Sequence, residues 1–181
     1  MTRTLTVVLT LVTLAGASAS ANAPRVPHIR IRDRGVERLL QQGLERSPML
    51  RQLVQTLGAS DVIVYVELQP RMPDSLPGGL VLSGAGGGTR YLRISLNPGN
   101  TRREMIAMLG HELQHAVEIA REPSVRSHDT LAAYFARIGR RAMNGWETDA
   151  ARDAGRLVHR EFVAGTGLAT PRPKRSVLER E

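Results

Sequence analysis

Between Leu109 and Val117 the chain reads LGHELQHAV, and Glu112 is its only charged residue. The flanking pattern is helical: Ile106, Leu109, Leu113, Val117 and Ala120 recur every three or four positions and share one face of a helix. A surface helix puts lysine, arginine or glutamate on its other faces at short intervals. This one does not, so it is expected to be buried on most sides, with the rest of the fold built around it. Thr101 and Glu104 stand at capping-box spacing just after the Asn97-Pro98-Gly99 turn, which starts the helix near residue 101. Pro123 ends it after about Arg121.

A helix buried in this way still carries His111, Glu112 and His115, and buried polar groups need partners. Residues four apart lie one above the other on a helix, so both imidazoles can address one ion. Zinc accepts nitrogen ligands in a tetrahedral site that leaves a position for water. Glu112, offset by one residue, flanks the ion and can take a proton from activated water. The competing reading is two histidines satisfied by the surface or the core.

The elements before this helix point to a small sheet. Val36, Leu39, Leu40 and Leu44 recur at helical spacing; Ser47-Pro48 starts a second helix, with serine as cap and proline in its first turn, and Gly58 stops it. DVIVYVELQP reads as a strand with Val62, Val64, Val66 and Leu68 on one face. A hairpin follows, its arms near Leu80–Leu82 and Arg90–Leu96. GAGGG between them lacks the Gly-Lys-Ser/Thr ending and following helix of a phosphate loop, so it is a flexible hairpin tip. Beyond residue 100 the chain is read as helical, with further helices over 129–141 and 146–162 and a break at Asn144-Gly145.

The ends read differently. Arg3, an apolar run from Leu5 to Leu14, and Ala21-Asn22-Ala23 have the layout of a secretory signal peptide over 1–23, cleaved after Ala23. The alternative is a membrane anchor, for which the run is short. The expected location is outside the cytoplasm, periplasmic or extracellular. Residues 24–34 form an extended lead-in, 35–164 the one domain, and 165–181 a proline-broken, charged tail expected to be disordered. No further stretch is apolar enough to span a membrane. The absence of cysteine excludes disulfides and a thiol-linked lipid. The formal net charge is +8, with Lys174 the only lysine and aromatics at 3%. Scattered arginines without aromatic platforms argue against a specific nucleic-acid site and leave weak affinity for anionic surfaces.

MLGHELQHAV resembles the active-site helix of the zincin metallopeptidases, and the order strand, hairpin, motif helix, later helix is similar to a minimal zincin core over residues 60–163. The resemblance implies an α+β fold with a small, mostly antiparallel sheet packed on the active-site helix and C-terminal helices. It also implies His111 and His115 as Zn²⁺ ligands, Glu112 as general base, and a peptide or protein substrate held against the strand Arg90–Leu96, taken as a sheet edge. The metzincin continuation is missing, since AVEIAREPSV follows. The gluzincin branch takes its third ligand from a later helix, which suggests Glu147, placed in a first turn with Ala150, Ala151 and Ala154 on the same face. Asp149 and Asp153 stay open as ligands, and His128 and His159 are weaker candidates. The aspartate that gluzincins carry four residues after the ligand glutamate is absent, because position 151 is alanine; Asp149 or Asp153 would have to orient a histidine instead. For the oxyanion the candidates are Tyr134, then His128 and Arg137. The competing functions are a zincin-fold protein that binds zinc or a partner without turnover, and a basic surface-binding protein with an accidental motif.

Overall fold

Asp33 and Ser47 show how local chemistry sets the first elements. The Asp33 carboxylate accepts from the backbone N–H groups of Gly35 and Val36 and opens α1 (Arg34–Arg46). Ser47 closes α1 and opens α2 (Pro48–Gly58), accepting from Leu50 N at 3.0 Å. Each cap satisfies donors that a helix start leaves free. The computed structural model describes residues 27–73, 75–142 and 145–165; the expected signal peptide over 1–23 and nearly all of the tail expected over 165–181 lie outside them.

The strands are β1 (Ile29–Ile31), β2 (Val62–Leu68), β3 (Gly78–Gly86) and β4 (Thr89–Leu96), in the order β1-β2-β4-β3. The α+β class is as read from the sequence, but the sheet is not mostly antiparallel. β1 and β2 are parallel, β2 and β4 are parallel, and only β3–β4 is antiparallel. Parallel neighbours need a crossover, and α1 and α2 supply it between β1 and β2. The lead-in thus contains a strand. β4 is interior rather than an edge: it pairs with β2 from Val62↔Arg90 to Leu68↔Leu96, and β3 takes the edge. The hairpin turn is confined to Gly87 and Gly88, both at positive φ (57° and 78°), as a two-residue primed turn requires.

One face of the sheet carries Val62, Val64, Leu92, Ile94 and Leu96, all fully buried. The other keeps Tyr65 and Arg93 toward solvent. Against the buried face lies α3 (Arg102–Ala120), opened by the expected Thr101–Glu104 capping box; Ile106, Leu109 and Leu113 are fully buried. Arg90 stands at an inward position of β4 and is also fully buried. It donates to Asp61 through Nε and Nη2, and to the carbonyls of Ile119, Ala120 and Glu122 at 2.6–3.1 Å. One guanidinium therefore satisfies the carbonyls that end α3 and ties them to the sheet.

After α3 come α4 (His128–Ile138), the ribbon strands β5 (Arg140–Ala142) and β6 (Gly145–Glu147), and α5 (Asp149–Ala164). The helix expected over 129–141 stops at Gly139, and the one expected from 146 begins three residues later, because Thr148 is its N-cap and accepts from Ala151 N. Arg141 pairs with Trp146 and Arg140 with Glu147, which keeps these residues extended. α5 lies close on α3. A Cβ on Gly110 would stand 2.7 Å from Val158 Cγ2, and one on Gly155 would stand 3.2 Å from His111 Cβ. No helix among the described residues is long and apolar enough to cross a membrane.

Candidate metal centre

His111 and His115 rise from successive turns of α3, ring centroids 4.9 Å apart with planes at 80°. Glu147 reaches them from the end of β6. It is not in the first turn of a helix, so the alanines that follow it do not share its face; Ala151 and Ala154 instead seat α5, while Ala150 is exposed. His111 Nε2 lies 3.8 Å from Glu147 Oε1, and His111, His115 and Glu147 each offer a ligand atom within 4.8 Å of the others. This His-His-Glu group could hold a metal ion.

The chemistry of the donors fits an ion. Among the described residues, His115 Nε2 and Glu147 Oε1 are buried side-chain atoms with no hydrogen-bond partner. Burying such atoms unpaired is costly, and a cation would satisfy both. Burial pushes the His111 imidazolium down to about 4, helped by His115 and opposed by Glu118, so His111 is neutral near pH 7, the form that ligates. At His115 burial also pushes the pKa down, but the hydrogen bond that His115 donates to Glu118 and the carboxylates Glu112, Glu118 and Glu147 outweigh it and leave the pKa raised. The surroundings favour positive charge at that point.

Glu118 was not singled out in the sequence. Its Oε2 lies 2.8 Å from His115 Nδ1, and its Oε1 accepts from Thr148 Oγ1 at 2.7 Å. A carboxylate accepts only, so the shared proton belongs on Nδ1, and the Nε2 lone pair is left for the site. Thr148 is adjacent to Glu147, so one carboxylate braces α3 against the strand that presents Glu147. The available signal was His115-x-x-Glu118, an i,i+3 pair on one helix face. Glu118→Gln should weaken metal binding by about 10–100-fold, read by competition with a chromogenic chelator, with far-UV circular dichroism verifying the fold.

Glu112 is buried, 5% exposed. Burial pushes its carboxyl up to about 7; Glu147 adds to this and His115 opposes it. Glu112 lines a cavity of about 520 Å³ beside the metal-binding group, walled by β3 from Gly78 to Val81 and by Leu131, Phe135 and Trp146.

The other candidates are elsewhere. Asp149 and Asp153 are exposed and engaged by arginines, Asp149 by Arg140 and Arg152, Asp153 by Arg156. Neither joins the metal-binding group or orients a histidine. Tyr134 donates its hydroxyl to the Glu118 carbonyl at 3.0 Å and does not line the cavity. Exposed His128 opens α4, and Arg137 pairs with Glu122 at 2.9 Å. His159 is exposed on α5. No family model, curated protein or solved structure matches the chain.

Proposed function

We propose that the chain is an exported zinc-dependent metallopeptidase, a gluzincin-like member of the zincin superfamily, that hydrolyses peptide bonds. The observation that carries this reading is the pair of buried, unpartnered atoms His115 Nε2 and Glu147 Oε1, within ligand distance of His111. Two imidazoles and one carboxylate form a donor set that suits catalytic zinc and leaves room for substrate. When bound, the ion supplies Lewis acidity that polarises a carbonyl and acidifies water.

The protein's own residues do the rest. Glu112, buried beside the His-His-Glu group, takes the proton of the attacking water and returns it to the leaving amine. Edge strand β3 offers backbone groups along the cavity to an extended peptide, and Leu131, Phe135 and Trp146 form an apolar wall beside it. The leader over residues 1–23 supports export.

Elemental analysis tests the reading. Purified wild-type protein should carry a stoichiometric zinc ion. His111→Ala and Glu147→Ala should lose it, and Asp149→Ala and Asp153→Ala should keep it. Wild-type protein that neither contains nor takes up zinc would refute the proposal.

A further inference from the structure

The metal-binding group lies at the junction of two hollows. One is the cavity beside β3. The other is a groove of about 590 Å³ between α3 and α5, and the two share Pro77, Met108 and His111 as lining. The α5 wall of the groove carries Arg152, Arg156 and Arg160, at intervals of four residues, with His159 among them. That spacing sets the three guanidinium groups in a row along one helix face. The row begins near His111, because Gly155 lets α5 approach to within a Cβ contact of that residue.

The charge in the groove is one-sided. Among the described residues its only acidic lining residue is Glu104, whose carboxylate accepts from Thr101 N in the α3 capping box. Arg152 pairs with Asp149 and Arg156 with Asp153, but these aspartates are 74% and 69% exposed and do not line the groove. Exposed pairs of this kind are weak and readily exchanged. Among the described residues, Arg160 has no carboxylate partner, and Arg152 Nε is buried without a hydrogen-bond partner. Among the described residues no phenylalanine, tyrosine or tryptophan lines the groove, so these residues offer no stacking platform for bases.

From this we infer, resting on the peptidase reading, that the α3–α5 groove selects substrates bearing aspartate or glutamate side chains on the α5 side of the cut bond. Guanidinium forks bind carboxylates in two-point contacts. The apolar floor of Pro77, Ala107 and Met108 strengthens them relative to open solvent.

The test uses quenched fluorogenic peptides matched except for glutamate or glutamine on either side of the cut bond. With the zinc-loaded wild type, glutamate on the α5 side should raise kcat/KM about tenfold, mainly through KM. The ratio should fall toward one in 1 M salt, where the Debye length is about 3 Å, and in Arg156→Ala/Arg160→Ala. In parallel, fluorescence anisotropy measures binding of the same peptides to zinc-loaded Glu112→Gln, with and without the two arginine substitutions. Hydrolysis with no acidic preference, or a preference the arginine substitutions leave intact, overturns the inference and leaves the peptidase reading standing. Arginine-dependent binding of the glutamate peptide without hydrolysis of any peptide by wild type supports an acid-selective groove and overturns the peptidase reading.

Discussion

Glu112→Gln is expected to abolish peptide hydrolysis while leaving the bound metal in place. The side chain flanks the ligands without belonging to the His-His-Glu group, and glutamine keeps its shape but cannot accept the proton of the attacking water. Removing a positioned general base costs about 10²–10⁴-fold in rate, measured with a fluorogenic peptide beside elemental analysis. Activity equal to wild type in a metal-loaded variant would remove Glu112 from the chemistry. Wild-type protein that holds zinc but cleaves nothing would favour a zinc-binding or recognition role.

The same variant has a readout that needs no turnover. Burial holds the Glu112 carboxyl up at about 7, against an ordinary 4.5. Between these values the folded, metal-free protein binds this proton more tightly than the unfolded chain does, so this group's contribution to stability falls as pH rises from about 4.5 to about 7. Neighbouring His111, pushed down from its ordinary 6.5 to about 4, pulls the other way, and its contribution rises with pH from about 4 to about 6.5. The difference between variant and wild type cancels His111 and reports Glu112 together with its coupling to His115. In chelator, Glu112→Gln should gain stability relative to wild type as pH rises through this window, followed by urea unfolding.

Arg90→Met is expected to be among the most destabilising single substitutions in the domain. It removes five hydrogen bonds from a fully buried side chain, strands the carbonyls that end α3, and leaves Asp61 without its main partner. Each buried carbonyl left without a partner costs about 1–3 kcal/mol, against a total of about 5–15 kcal/mol for a typical domain. Chemical denaturation should show a large fall in midpoint, and metal affinity should fall with it because α3 carries two ligands. Asp61→Asn should be milder, since Asp61 is one-third exposed and asparagine keeps an acceptor. The Arg90 hydrogen bonds, with opposition from burial, hold the Asp61 carboxyl below its usual 3.8. That contribution is present above 3.8 and is lost as pH falls through the lowered value. A midpoint unchanged in Arg90→Met would show that the α3 carbonyls find other partners.

What could be read along the chain was set by neighbours a turn or less apart. The Thr101–Glu104 box, the Ser47-Pro48 junction, the β2 and β4 alternation and the placement of His111 and His115 on one face are all consequences of helix and strand periods. Pairing over long separations has no such local signature. Nothing in Arg90–Leu96 says that its free edge is taken by β2 rather than by substrate. Period two puts Arg90 on the same face as Leu92 and Ile94, but nothing in TRYLRI says that Arg90 closes a helix about 30 residues later.

The third ligand shows the same division. The gluzincin resemblance suggests Glu147, with Asp149 and Asp153 left open, but not the element that carries it, because a three-residue ribbon strand is held by its partner across the turn and not by its own composition. Glu118 is the clearest case. A glutamate in a buried helix turn reads as a residue in need of a partner, and only the arrival of Thr148 at the junction of β6 and α5 makes it the brace between two members of the His-His-Glu group. Periodicity is a property of one element and survives in the sequence. The meeting of donors from α3 and β6 is a property of packing, and it exists only once the hydrophobic faces of α3, α5 and the sheet have closed on one another.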